Sequence, residues 1–265
     1  MRYSVNVSIL FTEVPFLERF ARARDAGFTA VELWWPRGED LDGTRAAIED
    51  AGLDVVLLNF DAGDMPAGDR GLISDPARQA AFRENVPVAL ELAQAVGCTK
   101  LNALAGHELP EHEREEQLEL ARENVRFAAD AAAEQGAEVL IEAVNTIENG
   151  PYLLSRTEQA AAFVRSVGRD NVRLQYDAYH MQRMEGNLVA TIERHFDAIA
   201  HVQIADSPGR GQPGTGEINF DYVLARLDAL GYDGHVGLEY KPPGGDTEAS
   251  LAWLPRELRG SRAEA

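Results

Sequence analysis

Several things are scarce in this 265-residue chain, and each scarcity removes a class of protein. It has one cysteine, Cys98, so no intramolecular disulfide framework holds it, and a reducing, cytoplasmic setting fits best. Cys98 sits inside the apolar run CTKLNAL and reads as a buried thiol. Apolar runs are only strand-length, too short to span a bilayer. Basic residues are few, 25 against 44 acidic, for a net charge of −19. That field opposes nucleic acid and anionic membrane, and no basic stripe offsets it. No GxGxxG follows the first strand, so a dinucleotide site is not expected. With six histidines and this charge, a metal-dependent phosphoesterase, which needs a histidine-rich site and a basic surface, is disfavoured.

What the chain has is alternation. Apolar residues make up 45%, enough for a sizeable core. Strand-like runs (SVNVSIL, TAVELWW, LDVVLLNF, CTKLNAL, AEVLIEAVN, NVRLQYD, AIAHVQIAD, HVGLEY) alternate with helix-like segments, most closed by glycine. The helices are expected near 14–26, 42–51, 76–96, 111–135, 155–167, 187–196, 220–230 and 246–258. The fifth is expected to be capped by Ser155 with Glu158 three residues on. The N-terminal run resembles a short signal, but Glu13 interrupts it and Tyr3, Val5, Val7 and Ile9 alternate as in a strand. Eight such units predict an α/β fold, a (β/α)₈ TIM barrel of about 250 residues, with right-handed crossovers. One domain over 1–258 is expected, with 259–265 a frayed tail. The loop DAGDMPAGDRG after strand three reads as a cover for a site.

In such a barrel the C-terminal strand ends build the active site. Strands five to eight each end on an oxygen ligand: Glu142, Asp177, Gln203 and Glu239, roughly 25 to 36 residues apart. Any one alone is an ordinary polar strand end, but four in consecutive units point to one shared site. Buried carboxylates need a positive partner, and an oxygen-only set suits Mg²⁺ or Mn²⁺ better than Zn²⁺. A second set lies just beyond: Glu148, His180 and Arg210, with Arg210 and His180 supplying local positive charge for an anionic substrate. Lys241, His107, Asn59, Trp34 and Trp35 fall near strand ends. His112 and His195 read as helix-surface residues, and His201, deeper on the side of Gln203, as a core histidine or a partner of the ligands.

The runs FTEVPFLERFARARDAGFTAVE, NFDAGDMPAGDRG, ENVRFAADAA, GNL, HVQIAD, GEINF and GLEYKP, spread from Ser4 to about Trp253, together resemble the hydroxypyruvate isomerase family, within the xylose-isomerase-like barrels. The resemblance implies interconversion of hydroxypyruvate and 2-hydroxy-3-oxopropanoate through an enediolate, without an organic cofactor and with Glu142 and Glu239 as proton donor and acceptor. Arg210 is expected to orient the substrate carboxylate. The similar sugar epimerases bind a divalent metal through four strand-end residues, which correspond to Glu142, Asp177, Gln203 and Glu239. They usually carry histidine where this chain has Gln203, and the glutamine favours the smaller-substrate branch while weakening the metal. A 2-oxo-tetronate isomerase, another sugar-acid isomerase of the same group, and a non-catalytic binding barrel are the alternatives. The expected partner is a small 2-oxo acid or sugar acid. Related barrels often pair through their helices, so a homo-oligomer fits.

Overall fold

A computed structural model describes residues 1–260. Eight strands close into a parallel barrel in sequence order, with β1 (Arg2–Asn6) pairing both β2 (Ala30–Leu33) and β8 (His235–Leu238). Between them run β3 (Asp54–Asn59), β4 (Lys100–Asn102), β5 (Glu138–Glu142), β6 (Val172–Asp177) and β7 (Ile199–Ile204). The strands are β-branched and apolar, and the main core fills the space between the barrel and its helices. Inside the barrel, Leu57, Leu140 and Ala200 form a separate small apolar cluster. Leu57 and Leu140 share their strand faces with Asn59 and Glu142, two residues further towards the C-terminal rim. The interior therefore turns from apolar to polar along its axis, and the polar end is the mouth.

The expected helices form with trimmed ends: α1 (Glu18–Asp25), α2 (Leu41–Ala51), α3 (Gln79–Ala95) and α4 (Arg114–Ala133), then α6 (Thr157–Val167), α8 (Leu188–His195) and α9 (Phe220–Ala229). Two short helices, α5 (Thr146–Asn149) and α7 (Ala178–Met184), lie directly beyond β5 and β6. They arise because Asn145 and Asp177 cap them, the Asn145 side chain accepting from Glu148 N and the Asp177 side chain from Tyr179 N and His180 N. At α6 the residue reaching back is Gln159, whose Oε1 accepts from Ser155 N and Arg156 N. Glu158, expected in that role, faces Arg165 and His195. His195 is thus buried rather than on the surface. The expected final helix is only a turn, α10 (Thr247–Ser250), followed by 3₁₀ segments, because Pro255 lacks the N–H a continuing helix needs. Arg259, expected to fray, donates to carbonyls of Ala26, Leu251 and Leu254. The rest of the expected tail, 261–265, lies outside the described residues. Among the described residues no helix is long and apolar enough to cross a membrane.

Candidate active site

Polar side chains on the inner face of the barrel form one connected network. At its floor lies Glu32, fully buried on β2. It accepts from Ser4 Oγ at 2.6 Å and Gln203 Nε2 at 2.7 Å, and lies 2.8 Å from His201 Nε2. Burial pushes its pKa up, but His201, Ser4 and Gln203 outweigh that and hold it below the ordinary value. Space for this carboxylate exists because β8 carries Gly237, where any Cβ would collide with it. With its amide nitrogen turned down to Glu32, Gln203 presents Oε1 to Gln175 Nε2 at 2.6 Å. Gln175 Nε2 also reaches Glu142 Oε2 at 3.1 Å, and Asn102 Nδ2 donates to the same oxygen at 2.9 Å.

Above the floor the sequence-derived residues converge. Glu142, Glu148, His180, Arg210 and Glu239 line one cavity of about 360 Å³, and the expected covering loop contributes Met65, Pro66 and Arg70. Glu142 Oε2 is anchored from below, while Oε1 faces His180 Nε2 at 3.9 Å. Glu239, one residue past β8, accepts on Oε1 from Trp34 Nε1 at 2.7 Å and Asn6 Nδ2 at 3.0 Å. Its Oε2 pairs with Arg210 Nη2. Arg210 is positioned by the loop after β7, which Asp206 organises by accepting from the backbone N–H groups of Gly214, Gly216 and Ile218. The Arg210 carbonyl then accepts from Lys241 N at 2.7 Å, tying that loop to the end of β8. Glu148 takes the Tyr179 hydroxyl, and the Arg210 guanidinium lies over the Tyr179 ring, 5.5 Å from its centroid.

The charges in this site do not balance. Burial, with Glu239 and Asp177 nearby, raises the Glu142 carboxyl well above its usual range. Burial and Glu239 push Asp177 up to about 7. Burial and Arg210 hold His180 well below the ordinary imidazole value, so it is neutral. Three carboxylates therefore face one guanidinium, and Asp177 Oδ2 is buried with no hydrogen-bond partner. Carboxyl groups held this reluctant to ionise, beside an unpaired carboxylate oxygen, fit a hard divalent cation whose charge would let them ionise.

Ligand-competent atoms of Glu142, Asp177 and His180 all lie within 4.8 Å of one another. The two carboxylates are ready donors. His180 Nδ1 accepts from Asn145 N at 3.2 Å, which leaves the ring proton on Nε2 and makes that nitrogen a hydrogen-bond donor into the cavity. Of the four residues expected from the sequence as a ligand set, Gln203 and Glu239 are engaged by protein partners in this structure. Gln203 spends its amide on Glu32 and Gln175, and Glu239 spends its oxygens on Arg210, Trp34 and Asn6. Beyond the site, His107 Nε2 lies 2.7 Å from Asn149 O, and Cys98 is buried with its thiol pushed up to about 12 by burial.

Sequence reading missed Asn6, Asn102, Gln175 and Glu32. The available signal was two-residue alternation, since Gln175 and Asn6 share inner strand faces with Asp177 and Ser4.

Comparison with known proteins fits this geometry. Residues 20–257 match the family model of the xylose isomerase-like TIM barrel. A putative hydroxypyruvate isomerase of Streptomyces coelicolor is 45% identical, over 98% of each chain. The hydroxypyruvate isomerase of Escherichia coli is 41% identical, over 96% of this chain and 98% of its own. A 2-oxo-tetronate isomerase of Cupriavidus necator is 40% identical, over 96% and 97%. A Brucella melitensis crystal structure titled AP endonuclease, family 2 superposes with a TM-score of 0.91 at 41% identity, covering 96% of this chain and 97% of that one. The chain belongs to the xylose isomerase-like TIM barrel family.

Proposed function

We propose that this protein is a hydroxypyruvate isomerase, interconverting hydroxypyruvate and 2-hydroxy-3-oxopropanoate by carboxylate-mediated proton transfer. The observation that carries this reading is the pair Glu142 and Glu239, one carboxylate with an oxygen free towards the cavity and one held by three donors, in a single chamber with Arg210. Relatives named for this activity, aligned over nearly the full length, support it.

The reaction removes a proton from C3 and returns one to C2, through an enediolate whose negative charge gathers on oxygen, while the O3 hydroxyl proton passes to O2. One glutamate takes the C3 proton, and the other supplies the proton to C2. The His180 Nε2–H and the Arg210 guanidinium are the donors that meet the developing oxyanion and the substrate carboxylate. Tyr179 holds Glu148 at the rim, where its carboxylate accepts from substrate hydroxyls. Pro66 and Met65, from the loop after β3, help exclude water from the enediolate. Glu142 and Asp177 would hold a Mg²⁺ or Mn²⁺ ion, which when bound supplies positive charge for oxyanion stabilisation.

A 2-oxo-tetronate isomerase is the second reading, favoured by the Cupriavidus relative and by a cavity large for a three-carbon acid. A nuclease reading, suggested by the name of the Brucella protein, does not fit the site. One histidine stands among the clustered ligand-competent residues, and the net charge is −19. Assaying isomerisation of hydroxypyruvate before and after chelation tests the proposal; no conversion under either condition would contradict it.

A further inference from the structure

A second cavity of about 520 Å³ adjoins the active site. Trp34, Asn59, Met65 and Pro66 line both chambers, so the indole that donates to Glu239 also forms part of the partition. Hydroxypyruvate is far smaller than the drug-sized ligands that pockets of roughly 300–1,000 Å³ enclose. The catalytic chamber alone, at about 360 Å³, already falls in that range.

The junction carries an open polar group. Asn59 lines both cavities, and its side chain makes no hydrogen bond with another described residue. An amide so placed offers a donor and an acceptor to whatever fills the space. Beyond it, Ser8 Oγ accepts from Trp34 N at 2.9 Å, which leaves its hydroxyl proton to donate. Arg37 pairs with Asp61 through Nη1, leaving its other N–H groups open, and Trp35 supplies a flat apolar face.

The charge of the lining selects the ligand. Arg19 and Arg37 are set against Glu39, Asp61 and Asp64, so the chamber does not favour a second anionic group. Hydroxyls match it, since each can donate to a carboxylate and accept from an amide or guanidinium, while the intervening C–H groups lie on indole.

We infer that the chamber bounded by Trp34, Trp35, Arg37 and Asn59 is a substrate subsite for the uncharged polyhydroxylated tail, beyond C3, of a longer 2-oxo acid. The inference rests on the isomerase reading and specifies its substrate class. The carboxylate and reacting carbons lie with Arg210, Glu142 and Glu239, and the tail passes Asn59 into the second chamber.

The test is the rate of proton exchange and isomerisation, read by NMR, on hydroxylated 2-oxo acids of three to six carbons. Deoxy and terminally phosphorylated analogues of the longest acid complete the series. The wild type is expected to gain at least about tenfold in kcat/KM from three to six carbons, and to lose that gain on the deoxy analogue. Trp35→Ala and Arg37→Ala are expected to keep the three-carbon rate, which also reports that they fold, while losing about tenfold on the longer acids. A chain-length profile unchanged by either variant, or a preference for the phosphorylated analogue, overturns the subsite. Turnover of hydroxypyruvate without any gain on longer acids overturns the subsite and leaves the isomerase reading standing. Failure on every acid overturns the isomerase reading, and the subsite falls with it.

Discussion

Arg210 pairs through Nη2 with Glu239 Oε2, although the two residues come from different βα loops; Glu239 is buried and Arg210 is nearly so. The pair is the single compensated charge in a site with two further buried carboxylates, Glu142 and Asp177. Removing the guanidinium leaves the Glu239 carboxylate without its ion-pair partner, beside two further buried carboxyl groups. Arg210→Ala is expected to lose on the order of 3–5 kcal/mol of stability and at least about a hundredfold in kcat/KM. Its KM for hydroxypyruvate should rise as well, because the substrate carboxylate loses its partner. Denaturant titration and steady-state kinetics check the two effects, and an unchanged KM removes Arg210 from substrate binding.

Asp177 gives a pH signature. Its folded pKa, about 7, lies above its ordinary value of 3.8, so between those values the folded state binds a proton that the unfolded chain releases. Stability from this group is therefore full below pH 3.8 and is lost as pH rises through about 7. Asp177→Asn keeps the capping oxygen that serves Tyr179 N and His180 N while removing the charge. In metal-free protein this variant should raise the melting temperature at pH 8.5 and change it much less at pH 5, as thermal scans in chelator would show. Adding Mg²⁺ or Mn²⁺ at pH 8.5 should stabilise the wild type and leave the variant nearly unmoved. Equal metal stabilisation of both proteins would place the cation elsewhere.

Trp34 acts through Glu239, donating from Nε1 at 2.7 Å. Trp34→Phe keeps most of the ring and removes the donor, one charge-assisted bond of about 1.5–3 kcal/mol. Roughly tenfold to a hundredfold should be lost from kcat, with KM for hydroxypyruvate little changed and the pH profile of kcat shifted. An unchanged kcat and profile would reduce Trp34 to a wall.

Gly237 faces Glu32 across the barrel floor, with no room for a Cβ. Gly237→Ala should cost about 1–3 kcal/mol, the usual range for overpacking. It should also disturb the chain from Glu32 through Gln203 and Gln175 to Glu142. Glu32→Gln removes the charge that orients Gln203 without adding volume, so paired melting curves separate crowding from loss of the carboxylate.

The strand order, the barrel, and the placing of Glu142 and Asp177 at strand ends were legible because each depends on local pattern: apolar alternation, a polar stop, a glycine-closed helix. The covering loop was legible from its Gly, Asp and Pro content. Partners on Glu239 were not, since Asn6 and Trp34 lie 233 and 205 positions away and meet it only when β1 closes on β8. The orientation of Gln203 is equally non-local. Glu32, 171 positions earlier, turns its amide nitrogen downward and ties the residue into a hydrogen-bond network. His180 was legible as a site residue, but its donor role depends on the backbone N–H of Asn145, 35 positions earlier.

The central claim is that Glu142 and Glu239 carry the proton transfer. The direct measurement follows hydroxypyruvate by ¹H NMR in D₂O with wild type, Glu142→Gln and Glu239→Gln, each confirmed folded by its melting curve. The account expects solvent deuterium at the reacting carbons and conversion to 2-hydroxy-3-oxopropanoate with wild type. It expects loss of conversion by at least about a thousandfold in each variant. Full conversion by either variant would contradict it.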